Sequence, residues 1–355
     1  MLFHQMRRFI PVVITIAATA CGPTNSEDES LGVTSQALRE GPDFQARLQS
    51  EVVPYCEKNL HVFSPDATDV QLPYAKFEVP EGENEKAALV IIPGRTETFL
   101  KNCELAYQLR GLGYSIYMPE LRGQGSASRT LIDRMRGHVE SFEHYVADTQ
   151  AFIDKVVNAR PHTKRYVIAH SLGAAILTRV LQRAPGTFDA AVLSSPMYQV
   201  NAGALPESVA WFISSVGTRL GFGRSYVIGT GPYTDEGDAF ATNRVTGSLD
   251  RWRINHELWA TRRDLPIGGP TFQWLNEATW ATYLLRRDSH LLVTPTLIFQ
   301  AGDEHFVVNA AQNYVCQRAA NCRIVLFPEA KHEIFSEVDS IRDSAIDQTL
   351  AFFGE

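Results

Sequence analysis

A serine, a histidine and a carboxylate can together move a proton, and this chain offers all three at suggestive positions. Ser171 stands in "RYVIAHSLGAAILTRVL" (165–181), where a β-prone apolar run stops at a polar pair and a helical pattern begins. A serine hydroxyl is a weak nucleophile until a neighbouring base takes its proton. Ala169 lies two residues before the serine and Gly173 two after it, so a sharp strand-to-helix turn has room to close. A helix starting there aims its first N–H groups at the site and favours developing negative charge. His332, in "FPEAKHEIF", is the candidate base, set between the last strand-like run and the last helical one. Asp303 and Glu304, adjacent in "FQAGDEHFVVN", are the candidate acids that would orient its ring. His170, beside the serine, reads as a packing or supporting residue.

These residues need a scaffold, and the pattern supplies one. "AALVIIP" (87–93), "YSIYMP" (114–119), "KRYVIA" (164–169), "FDAAVLSS" (188–195), "TPTLIFQA" (294–301) and "CRIVLF" (322–327) read as buried strands. Helical spacing falls between them at 99–113, 141–159, 174–184, near 307–319 and at 340–353. Such alternation predicts an α/β fold with a mostly parallel, doubly wound sheet. The rhythm breaks between about 197 and 290, a stretch holding all five tryptophans: Trp211, Trp252, Trp259, Trp274 and Trp280. It reads as a helical cap inserted before the strand that carries the acid, folded over the carboxyl ends of the strands.

The chain has 355 residues, 45% of them hydrophobic, which suits one sizeable catalytic domain with an insertion. A formal net charge of −7 with no basic stripe argues against nucleic acid as a partner. "MLFHQMRR" and the twelve apolar or small residues of "FIPVVITIAATA" read as a signal peptide over 1–20, too short to span a bilayer. Cys21 follows "ATA", which resembles the lipobox of bacterial lipoproteins, with Ala18 where leucine is commoner. The resemblance implies an acylated Cys21, a membrane anchor and a place in the cell envelope. Gly22 after the cysteine leans towards the outer membrane in a cell that has one. Residues 21–45 then form a flexible polar tether and 46–355 the catalytic domain.

Four cysteines remain, an even number that suits disulfides in an exported chain. Cys316 and Cys322 flank "QRAAN" and can close a local bridge, leaving Cys56 with Cys103; the alternative is four free thiols. No metal-ligand spacing is present, and no metal is expected. A monomer is expected.

"AHSLG" (169–173) resembles the G-x-S-x-G elbow of α/β-hydrolases, in which the triad follows the order serine, acid, histidine. Families with Q-x-x-x-D-x-x-V at the acid place it four after the glutamine and three before the valine. From Gln300 and Val307 that register picks Glu304 over Asp303. The oxyanion hole is then the N–H of Leu172 with that of Arg95, where Gly94 lets the backbone come close. "PGRTETF" (93–99), "ELRGQGSASR" (120–129), "GHVESFEHYVAD" (137–148), "GGPTFQW" (268–274) and "KHEIF" (331–335) further resemble the lysophospholipase L2 and monoacylglycerol-lipase-like serine hydrolases, from about residue 75 to the end. That resemblance implies a lipid substrate cleaved at its single acyl ester, and no cofactor. Glu120 departs from the aspartate common in the wider group, and "RGQG" (122–125) reads as a turn closing on its own backbone.

Three rivals stand beside this reading. A short-chain esterase or lactonase shares the triad. So does a prolyl-aminopeptidase-like peptidase, which would need acids such as Asp235, Glu236 and Asp238 to hold a substrate amine. A non-catalytic surface lipoprotein is the third. The serine at 171 excludes an aspartate nucleophile.

Overall fold

The structure, a computed structural model, describes residues 37–66, 69–203, 205–235 and 239–354. Cys21, the leader, Glu236 and Asp238 lie outside the described residues. Eight strands run in chain order as β1 (Leu60–Phe63), β2 (Leu72–Phe77), β3 (Ala87–Ile92), β4 (Tyr114–Pro119), β5 (Arg165–His170), β6 (Ala190–Ser194), β7 (Thr296–Ala301) and β8 (Cys322–Phe327). They form one sheet in the order β1-β2-β4-β3-β5-β6-β7-β8, parallel from β4 to β8. The first two strands pair antiparallel. Every residue of β3, β4, β6 and β7 is buried, so these strands read as unbroken apolar runs without alternation. The fold is that of the α/β-hydrolases.

The principal helices are α1 (Cys103–Leu109), α2 (Phe142–Lys155), α3 (Ser171–Arg183), α4 (Glu207–Gly217), α5 (Leu249–Thr261), α6 (Phe272–Arg287), α7 (Asn309–Cys316) and α8 (Asp339–Phe353). Ser141 caps α2 through its side chain, and Thr271 caps α6. One face of the sheet is covered by α2, α3, α6 and α7. The other is covered by α1, α8 and a helical segment over 44–57.

The insertion between β6 and β7 does more than lie over one end. Its α6 joins the first core through Trp274, Ala278 and Leu285. Its α5 reaches the second core through Ile254. The tryptophans are dispersed accordingly. Trp274 is buried; Trp211 and Trp280 meet at 6.4 Å on the surface; Trp252 stacks on His256, and Trp259 meets Tyr233.

Packing starts before residue 46: residues 37–45, expected to be tether, carry side chains buried in the folded body. Leu38 and Phe44 are 1% exposed. The buried Arg251 guanidinium, carried by α5, explains why. It donates to Glu104, Asp339 and the carbonyls of Glu337 and Leu38, and it lies over the Phe44 ring. A buried guanidinium needs acceptors for all its N–H groups, and the polar-looking 37–45 stretch supplies one of them. Disulfides join Cys56 to Cys103, fastening 44–57 to α1, and Cys316 to Cys322, closing the α7–β8 connection. Among the described residues no helix is long and apolar enough to cross a membrane.

Candidate active site

The site is built where β5 stops. Ser171, the first residue of α3, has a φ of 48°, in the left-handed region that side chains avoid. Ala169 pairs with Ile92 and Leu193 on either side and has no exposed surface. A Cβ on Gly173 would lie 2.3 Å from the Pro93 carbonyl oxygen, so only glycine lets α3 start this close to β3. Met197 donates its N–H to the Ser171 carbonyl at 3.0 Å and holds the turn from the β6 side.

Three candidate residues meet here. His332 Nε2 lies 2.9 Å from Ser171 Oγ, and His332 Nδ1 lies 2.7 Å from Glu304 Oε2. The other Glu304 oxygen accepts the N–H of Phe306 at 2.8 Å and of Val307 at 3.3 Å. Asp303 instead turns outward to His305, at 2.9 Å. Burial pushes the His332 ring below its ordinary value, and the charge of His170 adds to this, while the bond to Glu304 opposes it. Burial alone would raise Glu304, but the hydrogen bond and charge of His332 hold it below the usual carboxylate range. The arrangement is a neutral imidazole with a free lone pair on the serine side and an ionised carboxylate behind it.

The loop after β3 brings the second half. Leu172 is the second residue of α3, so its N–H lies outside the helical ladder. Arg95 sits between Gly94 and Thr96, whose φ is 65°. A Cβ on Gly94 would meet His170 Nδ1 at 2.6 Å. The Arg95 side chain points away from the serine. It donates to the Gly268 carbonyl at 2.7 Å and lies over Trp274, and a Cβ on Gly137 would touch it at 2.2 Å. Burial pulls it down to about 10, so it stays charged at neutral pH. "GHVESF" and "GGPTFQW" therefore meet around one guanidinium, joined also by Gly137 N–H to Gly269 O and Thr271 N–H to Gly137 O.

"RGQG" is more than a self-closing turn. Gln124 Nε2 donates to the carbonyls of Gly94 (2.6 Å) and Glu97 (3.0 Å) and so steadies the loop that carries Arg95. Glu120 is buried beneath it, taking hydrogen bonds from Thr98 and Ser126. His170 is a full member of the surroundings, bonded to Glu97 and to the His332 carbonyl. Sequence reasoning missed Glu97, Lys101 and Glu333. The i, i+4 spacing of Glu97 and Lys101 was the available signal.

The family model of serine aminopeptidase S33 hydrolases (Hydrolase_4) matches residues 83–339. The chain belongs to this family. It is an ester hydrolase with the α/β-hydrolase fold. The S33 chain is 34% identical over 293 residues to lysophospholipase L2 of Escherichia coli K12, covering 80% of this chain and 84% of that protein. It is 29% identical over 310 residues to the probable lysophospholipase L2 of Haemophilus influenzae, covering 87% and 96%. Among solved structures, a soluble variant of Saccharomyces cerevisiae monoglyceride lipase shares the fold at a TM-score of 0.64, with 16% identity over 82% of this chain and 94% of that one. Of the acids that could hold a peptide amine, Asp235 is already paired with Arg263 at 2.8 Å.

Proposed function

We propose that this S33 hydrolase cleaves the single acyl ester of a lysophospholipid or monoacylglycerol through an acyl-serine intermediate. The carrying observation is the unbroken hydrogen-bond line Ser171 Oγ, His332, Glu304. Ser171 Oγ attacks the ester carbonyl carbon while its proton passes to His332 Nε2. Glu304 holds the ring in the needed tautomer and stabilises its charged form. The N–H groups of Arg95 and Leu172 receive the oxyanion. Collapse breaks the C–O bond, and His332 gives its proton to the leaving glycerol oxygen. Water repeats the sequence: His332 takes its proton, the hydroxide oxygen bonds to the acyl carbon, and the fatty acid leaves as Ser171 is restored. The names of the curated relatives support the lipid class. The leader and Cys21 support work at a membrane in the cell envelope, held by an acyl anchor.

The test is fatty acid release from lysophosphatidylcholine and from monoacylglycerol, with Ser171→Ala alongside. Release that the variant loses is expected. Cleavage of a short synthetic ester only would leave the serine chemistry and remove the lipid reading. Turnover retained by the variant would remove both.

A further inference from the structure

Two histidines lie side by side at the elbow, their ring centroids 4.8 Å apart. His332 has a carboxylate at one nitrogen and a hydroxyl at the other, so a neutral ring satisfies both. His170 has acceptors only. Its Nδ1 faces Glu97 Oε2 at 3.0 Å, and its Nε2 faces the main-chain carbonyl of His332 at 3.2 Å. Both partners are acceptors, so the ring meets them fully only with a proton on each nitrogen, as an imidazolium.

The charge is balanced locally. Lys101 Nζ bonds the other Glu97 oxygen at 2.8 Å and also pairs with Glu333, the residue after the base. Lys101 is almost fully enclosed, with its side chain 2% exposed. Two cations and two carboxylates thus close on one another beneath the site. Each contact reaches a different working part. Glu97 accepts the Gly94 N–H in the oxyanion loop, His170 belongs to the elbow, and the His332 carbonyl and Glu333 belong to the base loop.

We infer that His170 is a positioning residue: a resident imidazolium that ties the oxyanion loop to the base loop and keeps His332 free of a second proton. The inference rests on His332 being the base. The charged groups around His332 are His170, Glu97, Lys101 and Glu333 on one side and Glu304 on the other. Removing the His170 charge takes away a repulsion that lowers His332, which favours the protonated form of the base. The directions agree: burial would lower His170, but Glu97 and Glu333 raise it, and burial would raise Glu97, but His170 and Lys101 hold it well down.

The first measurement needs no variant. In protein labelled with nitrogen-15 at histidine, the wild type at pH 8 is expected to show His170 with both nitrogens protonated and His332 with one. A neutral His170 overturns the inference. The second is the pH profile of kcat/KM for a short soluble ester with His170→Gln. The acid limb is expected to move up by about one pH unit, with kcat about tenfold lower and KM within about twofold. An unmoved acid limb in a folded variant also overturns it. If the variant does not fold, the wild-type spectrum decides alone. A wild type that cleaves no ester sinks the hydrolase reading, and the spectrum still decides the charge of His170.

Discussion

Glu304–His332 and Glu97–His170 are the same two side chains, set 2.7 Å and 3.0 Å apart on either side of one serine. In the proposed mechanism one pair exchanges a proton and the other keeps one. The carboxylates do not make the difference, since both stay ionised. The far nitrogen does. It meets a hydroxyl that can accept or donate in one pair, and a carbonyl that can only accept in the other. A histidine's charge is therefore read from its second partner, and a carboxylate neighbour alone says little about it.

The comparison can be broken most severely at its first pair. Glu304→Gln is expected to lower kcat by about 10³–10⁴-fold, because the amide can present an N–H to Nδ1 and enforce the wrong tautomer. Steady-state kinetics on a short ester checks this; a loss below tenfold would mean that Glu304 is not the orienting acid.

A third buried carboxylate sharpens the contrast. Among the described residues no cation pairs with Glu120, and burial raises it from 4.5 to about 7 against the pull of Thr98 and Ser126. Its folded value lies above its unfolded one, so its favourable contribution is complete below pH 4.5. That contribution fades as pH rises towards 7 and is gone above that. The span corresponds to about 3 kcal/mol. Thermal unfolding from pH 4.5 to 8 should show a stability decline attributable to this group, and Glu120→Gln should flatten it. Equal slopes in the two proteins would refute the assignment.

At the second pair, Glu97→Gln removes the charge that holds His170 and is expected to lower kcat about tenfold, with little change in KM. A KM effect alone would place Glu97 in substrate binding. The smallest effect belongs to the neighbour of the acid. Asp303→Asn should change kcat/KM by less than about twofold, since the Asp303 side chain turns outward to His305. Activity lost there but kept in Glu304→Gln would exchange the two roles.

Much of the framework was readable from residue order alone. The buried strands β3, β4, β6 and β7 are largely apolar runs, and the alternation of β3 to β8 with helices dictates the doubly wound sheet. β1 was not readable, because it is a four-residue, mostly exposed edge strand without a sheet-like pattern. Ser171 and His332 were readable because each lies just beyond the end of a strand, where such folds assemble their sites. The choice between Asp303 and Glu304 needed a register borrowed from relatives, since two adjacent carboxylates look alike in composition. The charge of His170 was out of reach. It depends on a carbonyl 162 residues along the chain, and no local pattern records such a meeting. Arg251 hides the other omission, as its acceptors come from three separate segments.

That last arrangement has a practical corollary for anyone trimming the gene. A protein begun at residue 46 would lack the Leu38 carbonyl and the Phe44 ring that enclose Arg251. Its guanidinium would then open to water at the junction of α5 with α8. Residues 38–44 therefore belong to the folded body of this enzyme, inside a stretch whose composition suggests dispensable leash.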